Sequence, residues 1–213
     1  MNDSDRKQVA AEFVGTAILV AAIVGSGIMG ERLAGGNIAI TLMANSLATG
    51  AVLLALILTF VSVSGAHFNP LITLAATRTR KALSGVTAQF AGGVLGVAAA
   101  NIMFGLPAFF ASQHIRAGLP QLLSEAIATF GLVMIVRVSA SPFAIAGYIV
   151  GAYWFTSSTS FANPAVTVAR ALTDTFSGIR PADLPGFLAA QAAGGLSAAL
   201  FSNWLTSKPE ETS

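Results

Sequence analysis

The 213-residue chain is 54% hydrophobic and only 9% charged, against roughly 25% charged residues in an ordinary soluble domain, so its composition favours a lipid bilayer. The absence of cysteine excludes a disulfide framework and a thiolate metal site. The net charge of +2 and the lack of basic patches with interleaved aromatic residues argue against nucleic acid as a partner.

Long uncharged intervals predict membrane-spanning helices, since one span needs about 20 apolar residues. No residue is charged in the intervals 33–77, 82–115 and 138–169. The first interval is too long for one span, yet its tail from Pro70 ends at Thr77 before basic residues resume. That tail covers about 15 Å, half of a hydrocarbon core about 30 Å thick. The interval therefore predicts one full span followed by a half-helix.

In chain order, the pattern predicts six spans and two half-helices. The spans are predicted at 9–29, 38–63, 84–104, 122–136, 143–158 and 187–205. The half-helices, 69–77 and 163–172, each begin with Asn-Pro, in which Asn caps a helix and Pro fits its first position. Residues 1–8 form a polar tail, 78–81 a basic loop and 105–119 a longer connector.

The two halves of the chain resemble each other. Residues 9–104 and 120–205 are predicted to be repeats within a single channel domain covering 1–213. Each repeat holds three spans and one half-helix, and an odd number of spans turns the second copy upside down. The predicted fold class is therefore an all-α membrane protein with six transmembrane helices and two re-entrant half-helices in an inverted repeat.

The basic residues are distributed unevenly between the two predicted sides of the membrane. One side carries Arg6, Lys7, Arg78, Arg80, Lys81, Arg137 and Lys208. The other side carries Arg32, Arg116, Arg170 and Arg180. Because basic residues are enriched in cytoplasmic loops, this bias predicts that both termini are cytoplasmic.

Inversion makes the half-helices meet N-terminus to N-terminus near the middle of the bilayer. Each helix start carries about half a positive charge, so two facing starts raise a barrier to cations. The side chains of Asn69 and Asn163 are predicted to cap their own helices and to present free amide N–H groups to a solute. The non-helical backbone before each Asn supplies carbonyl acceptors along the path. This arrangement favours a neutral polar solute over an ion.

These features resemble the major intrinsic proteins, the aquaporin and aquaglyceroporin family, over essentially the whole chain. The residues that carry the resemblance are His67-Phe68-Asn69-Pro70, Asn163-Pro164-Ala165, Glu12, Glu125, and the Gln-x-x-Gly-Gly segments at Gln89 and Gln191. The resemblance implies one pore per subunit and a homotetramer, in the inner membrane of a bacterium. No catalytic triad, metal-ligand or phosphate-loop pattern accompanies it, so neither catalysis nor a cofactor is expected.

The departures from the family pattern concern the waist, which we define as Asn69-Pro70-Leu71 and Asn163-Pro164-Ala165, and the selectivity filter. Leu71 stands where the family usually has Ala, and Val166 stands where it usually has the filter Arg. Counting from the waist, the other filter positions fall on Thr49, Gly151 and Ser160. All four filter residues are small or medium and uncharged, which predicts a wide filter.

The wide filter without Arg resembles the branch of the family associated with bacterial arsenic resistance. This resemblance implies passage of glycerol, urea and metalloid acids such as arsenous acid, with some water. The loss of a fixed guanidinium also removes a cation barrier, so an ion-permeable channel of the same family stays open as an alternative. A water-selective aquaporin is another.

A coupled secondary transporter is the alternative from a different functional class, because inverted repeats and broken helices also build transporters. Such a protein is expected to carry a titratable or ion-binding group near the midplane. Between the two Asn-Pro steps the sequence offers Asn, Pro and aliphatic residues but no carboxylate. The passive pore is therefore favoured.

Several polar residues in the predicted spans have two interpretations. Glu12 and Glu125 either reach the headgroups or accept hydrogen bonds from a re-entrant loop, and their matching repeat positions favour the loop. His67 either lines the cytoplasmic half of the path or is a satisfied core residue. Arg170 is predicted to anchor at the membrane interface. The alternative is that it leans back one turn and supplies charge near Val166.

Overall fold

The computed structural model describes residues 2–76 and 80–207 and is all-helical over those residues. The helices are α1 (Asp3–Leu33), α2 (Ile38–Ser64), α3 (Pro70–Ala76), α4 (Arg80–Met103), α5 (Leu119–Val138), α6 (Pro142–Phe155), α7 (Pro164–Arg170) and α8 (Leu184–Leu205), with a 3₁₀ turn at Pro181–Asp183. The end of the first predicted half-helix at Thr77 and two of the predicted cytoplasmic charges, Arg78 and Lys208, lie outside the described residues.

Five helices of the described chain are long and apolar enough to cross a membrane, namely α1, α2, α4, α5 and α8. Helix α6, which corresponds to the fifth predicted span, has only 14 residues and covers about 21 Å. It ends at Phe155 rather than at the predicted Ser158, and the chain continues without regular helix to Asn163. The predicted fifth span is therefore a shortened helix followed by a re-entrant loop.

The first helix begins earlier than predicted, because the polar N-terminal residues can start it. The side-chain oxygen of Asn2 accepts a hydrogen bond from the Asp5 N–H at 2.8 Å. Asp3 and Asp5 place negative charge in the first turn, where it is favourable for the helix dipole. Most of the predicted polar tail is therefore the start of α1.

Glycine brings the paired helices of each repeat into backbone contact. A β-carbon at Gly92 of α4 would lie 2.3 Å from the carbonyl oxygen of Phe13 in α1. A β-carbon at Gly194 of α8 would lie 2.2 Å from the carbonyl oxygen of Ala126 in α5. Small residues allow such close packing between membrane helices. Each half-helix packs against helices of the other repeat: α3 contacts α5 and α8, and α7 contacts α1 and α4.

The connector after α4 is hydrogen-bonded through its backbone to the chain that leaves α7. The connector after α4 donates from Phe110 N–H to the Leu172 carbonyl at 3.0 Å and from Ser112 N–H to the Ala171 carbonyl at 3.1 Å. The Arg180 N–H donates to the carbonyl of His114 at 2.8 Å. The connector thereby holds the chain that leaves α7.

Candidate functional site

The two half-helices meet at their N-terminal ends through a reciprocal pair of hydrogen bonds. Asn69 Nδ2 donates to the carbonyl of Ala162 at 2.8 Å, and Asn163 Nδ2 donates to the carbonyl of Phe68 at 2.8 Å. Each Asn thus binds the residue that immediately precedes the other Asn. Both side chains are buried, at 4% and 6% exposure.

The oxygen atoms of the same two amides cap the half-helices. Asn69 Oδ1 accepts from the Leu71 N–H at 3.0 Å. Asn163 Oδ1 accepts from the Ala165 N–H at 3.0 Å and from the Val166 N–H at 3.3 Å. Since a primary amide has two N–H donors, the cap and the reciprocal bond leave one donor on each Asn. Among the described residues, one amide hydrogen of each Asn therefore has no partner.

The loop before each Asn has the same unusual backbone. Ala66 and Phe68 have φ of 51° and 49°, and Ser160 and Ala162 have φ of 51° and 46°. In each repeat these residues stand three and one positions before the Asn. L-residues seldom adopt this left-handed conformation, so the surrounding structure has to hold it.

Buried glutamates hold these loops. Glu12 accepts from the His67 N–H at 3.0 Å and from the Phe68 N–H at 2.7 Å. Glu125 accepts from the Phe161 N–H at 2.9 Å and from the Ala162 N–H at 3.0 Å. The carboxylates are 4% and 0% exposed, so they do not reach the headgroups. Both glutamates therefore accept hydrogen bonds from a re-entrant loop, which is the second of the two interpretations of these residues.

A glutamine completes each of these networks. Gln89 Nε2 donates to Glu12 at 2.7 Å and to Thr73 Oγ1 at 2.8 Å. Gln191 Nε2 donates to Glu125 at 2.7 Å and to Thr167 Oγ1 at 2.8 Å. The side chain of α4 or α8 thereby ties each carboxylate to the half-helix beside it. The recurrence of Gln in both repeats was the sequence signal for this role.

A cavity of about 190 Å³ runs past the tips of both half-helices. Its wall is mostly aliphatic, from Leu19, Ile23, Leu53, Ile57, Leu132 and Ile149 among others. Six of the predicted site residues line it: Thr49, His67, Asn69, Ser160, Asn163 and Val166. A mainly apolar wall with a few polar groups suits a small, weakly held solute.

His67 lies on this wall beside the first half-helix. Its Nδ1 is 3.3 Å from Thr73 Oγ1, the hydroxyl that also accepts from Gln89. The side chain is therefore both a lining residue and a member of the polar network, so the two interpretations of His67 are not exclusive.

Gly151 does not line the cavity, in contrast to its predicted place in the filter. It lies on the outer surface of α6, where a β-carbon would meet no atom within 4 Å. Tyr153, two residues later, faces the cavity instead, and its hydroxyl is 3.3 Å from Thr49 Oγ1. The face of α6 that carries Ile145, Ile149 and Tyr153 lines the cavity, whereas Gly151 lies on the opposite face of the same helix. The cavity wall at this level therefore includes an aromatic residue, where the sequence predicted only small and medium side chains.

Leu71 also points away from the cavity. Its Cδ1 would lie 3.5 Å from a β-carbon at Gly195, an ordinary van der Waals distance, so Leu71 packs against α8. Ala165, at the same place in the second waist motif, packs beside Gly93 of α4. The extra bulk of Leu71 is accommodated between helices and does not obstruct the waist.

Arg170 is not an interfacial anchor, because its side chain is buried inside the protein. Only 1% of the residue is exposed, and it lines the cavity together with Val166. Its Cζ lies 3.3 Å from the centroid of the Phe161 ring, and its Nε donates to the Ser177 carbonyl. The sequence prediction failed because the loop after α7 folds back over the helix end instead of leaving it at the membrane surface.

A second guanidinium lies over the same aromatic ring. Arg116, from the connector, has its Cζ 5.0 Å from the Phe161 centroid. Its three nitrogens donate to the carbonyls of Gly178 at 2.7 Å, Ser158 at 3.2 Å and Phe176 at 3.4 Å. The sequence did not predict this contact, because Arg116 lies in a loop without a repeating pattern.

Apolar spanning helices, two half-helices that meet tip to tip, and a cavity past their tips define a membrane channel with a re-entrant waist. A sequence profile of the major intrinsic protein family matches residues 2–147. Over 210 residues the chain is 46% identical to Aquaglyceroporin AqpS of Rhizobium meliloti (strain 1021), covering 93% of this chain and 90% of that protein. The chain belongs to the major intrinsic protein family.

Two further similarities agree with this assignment. A probable aquaporin of TIP type from Medicago truncatula is 33% identical over 164 residues, 67% of this chain and 64% of that one. The X-ray structure of the aquaglyceroporin from Plasmodium falciparum superimposes with a TM-score of 0.66 at 18% identity, over 92% of this chain and 95% of that one. This last similarity shows the shared fold. The predicted family, fold class and channel function for small solutes are confirmed.

Proposed function

We propose that this protein is a passive channel for neutral solutes of the size of glycerol and urea. We also propose that metalloid acids such as arsenous acid pass, with some water. The proposal rests on the cavity wall, where Val166 takes the place next to the second waist motif and aliphatic side chains alternate with a few polar groups. Its similarity to a protein described as an aquaglyceroporin supports the same reading.

The waist supports discrimination in favour of neutral solutes. Asn69 and Asn163 each keep one amide donor, and the carbonyls of Phe68 and Ala162 accept their other hydrogens. A solute that passes exchanges hydrogen bonds with water for bonds to fixed amide groups, and this exchange suits a hydroxyl or an amide. A hydrated ion loses much more solvation than this wall returns.

One observation favours the water-selective alternative. Tyr153 adds an aromatic ring to the cavity wall, and its hydroxyl contacts Thr49 Oγ1 at 3.3 Å. A filter narrow enough to admit water alone would exclude glycerol and urea, so the two candidate functions predict different solute panels.

The test is stopped-flow light scattering from proteoliposomes challenged in turn with water, glycerol, urea and arsenous acid. Glycerol and urea flux clearly above that of protein-free liposomes is the expected result. Fast water flux with no flux of the larger solutes would contradict the proposal and show that the protein is a water-selective aquaporin. Steady currents of Na⁺, K⁺ or Cl⁻ under voltage clamp would replace it by an ion channel.

We propose further that the protein is a homotetramer in the inner membrane of a bacterium, with one pore per subunit and both termini in the cytoplasm. The tetramer rests on the family resemblance. Burial of Arg170 removes it from the charges available at the membrane surface, leaving seven basic residues on the predicted cytoplasmic side against three on the other. The corrected count supports the same orientation more strongly.

A further inference from the structure

We propose that the guanidinium of Arg170 is the charged hydrogen-bond donor of the filter. It would supply the charge that Val166, at the usual position of the filter Arg, does not carry. Arg170 would bind the oxygen of a passing neutral solute and repel cations. This inference rests on the proposed function, a channel for neutral solutes. We use the name filter layer for Thr49, Tyr153, Ser160, Val166 and Arg170, which all line the cavity.

Helix geometry brings the guanidinium of Arg170 back towards Val166. The two residues are four positions apart in α7, which places them on one face of the helix and separates them by about 6 Å along its axis. Side chains on a helix point towards its N-terminus, so a long side chain at position 170 reaches back to the level of position 166. Both residues line the cavity, in agreement with this geometry.

The charge of Arg170 is held in place without being neutralised. The Phe161 ring and the Ser177 carbonyl contact the guanidinium, and over the described residues no carboxylate forms a salt bridge with it. Nη1 is buried with no hydrogen-bond partner there. A buried donor without a partner is costly, and a polar solute in the cavity would relieve that cost.

A second unpartnered polar atom lies in the filter layer. The hydroxyl of Ser160 is buried and makes no hydrogen bond within the described part of the chain. A hydroxyl both donates and accepts, whereas a guanidinium only donates. Together Ser160 and Arg170 suit a solute that carries an oxygen acceptor and an O–H or N–H donor, as polyols, urea and undissociated oxyacids do.

Arg116 has a different role from Arg170, although both lie over Phe161. Each of its three side-chain nitrogens donates to a backbone carbonyl, which uses three of its five N–H groups to hold loop backbone. Arg116 is also not among the described residues that line the cavity. Arg116 therefore fixes the loops and adds positive potential, while Arg170 meets the solute.

The first experiment removes the charge and then moves it. Arg170→Met in proteoliposomes is expected to raise proton and K⁺ leakage about tenfold or more, because an unscreened charge a few ångströms from the path is lost. Water flux should stay within about twofold, since its hydrogen bonds are replaceable. The double variant Val166→Arg with Arg170→Met returns a guanidinium to the same layer and should restore cation exclusion. Arg170→Lys keeps the charge and should exclude cations as the unaltered protein does.

Arg32→Met is the matched control. Arg32 also lies over an aromatic ring, 5.1 Å from the Phe104 centroid, and donates to a carbonyl, but it is exposed and outside the cavity. Its removal should leave ion leakage unchanged. An Arg170→Met protein that conducts glycerol and still excludes cations like the unaltered chain would overturn the inference while leaving the proposed function intact. Failure of the unaltered protein to conduct glycerol or urea would instead overturn the proposed function.

A second measurement keeps Arg170 in place, in case its substitution prevents folding. The chain contains no cysteine, so Val166→Cys provides a single thiol in the filter layer. An anionic methanethiosulfonate should modify this thiol about tenfold or more faster than a cationic one, each rate being normalised to a free thiol. Equal normalised rates, or faster modification by the cationic reagent, would contradict a positive filter layer.

Discussion

Asn69 and Asn163 each donate an amide hydrogen to the carbonyl just before the other, and both bonds are 2.8 Å long. Neither half-helix can therefore move away from the other without breaking a bond at the tip of its partner. The two-fold relation also extends outward to Glu12 and Glu125, whose carboxylates bind the backbone of the loops that present these carbonyls. The waist is consequently one hydrogen-bonded unit built from both repeats.

Asn69→Ala should damage both stability and conduction. It removes a helix cap and leaves the Ala162 carbonyl without its donor, a combined loss of about 1–3 kcal/mol. Thermal unfolding in detergent and water flux in proteoliposomes measure the two effects. Asn37→Ala is the matched control, because Asn37 caps α2 through the Ala39 and Ile40 N–H groups at an exposed site. Loss of conduction in both variants would show that capping alone explains the result.

Glu125→Gln should destabilise the second re-entrant loop. One side-chain oxygen becomes an NH₂ group, which cannot accept a hydrogen bond. Depending on the orientation of the amide, either the Phe161 N–H loses its acceptor, or the Ala162 N–H and Gln191 Nε2 lose theirs. The expected loss is about 1–3 kcal/mol, with reduced solute flux. Glu31→Gln, at an exposed glutamate, should change neither quantity. Unchanged flux and melting temperature in the Glu125 variant would show that the negative charge is dispensable.

Gly92→Ala should separate α4 from α1, because the new β-carbon would lie 2.3 Å from the Phe13 carbonyl oxygen. The helices must move apart, and we expect a lower melting temperature and a smaller yield of folded protein. Gly147→Ala in α6 has no atom within 4 Å of its β-carbon, so it should be neutral or stabilising by about 0.5–1 kcal/mol. Similar destabilisation by both variants would rule out packing as the cause.

Mercury sensitivity should distinguish the residues that line the filter layer from those outside it. The unaltered chain has no cysteine and should be insensitive to Hg²⁺. Thr49→Cys and Tyr153→Cys place a thiol on the cavity wall and should make solute flux mercury-sensitive. Gly151→Cys places it on the outer surface of α6 and should not. Inhibition of the Gly151 variant alone would support the position of Gly151 in the filter that the sequence predicted.

Val166→Arg should slow the larger solutes more than water. The new side chain fills part of the cavity beside Arg170, so glycerol and urea lose more room than a water molecule does. Light scattering with each solute measures the selectivity. Val166→Leu adds bulk without charge and separates the steric effect from the electrostatic one. Equal slowing of every solute, or none, would argue against a place for Val166 in the filter layer.

The spans, the half-helices and the loop-binding glutamates were predictable from residue type and spacing. A bilayer core supplies no water to satisfy backbone groups, so long uncharged stretches have to be helical. An Asn-Pro step followed by half a span marks a helix that starts within the membrane, and both such steps lie where they were predicted. Glu12 and Glu125 occupy matching positions in the two repeats, which indicated a shared role inside the protein. Both carboxylates accept hydrogen bonds from the backbone of a re-entrant loop.

The filter was only partly predictable, because its composition depends on how helices and loops turn towards the cavity. The short helix α6 puts Tyr153 on the wall in place of Gly151, a difference that counting from the waist does not reveal. The returning loop after α7 encloses Arg170, although an arginine near the end of an apolar segment ordinarily marks the interface.

The sequence by itself determined that this chain is a membrane channel with two re-entrant half-helices, because hydrophobicity and helix capping act locally along the chain. Only the tertiary structure decided which side chains line the cavity. The loops on both sides of α7 bury Arg170 against the Phe161 ring and the Ser177 carbonyl, on the wall of the cavity that Val166 also lines.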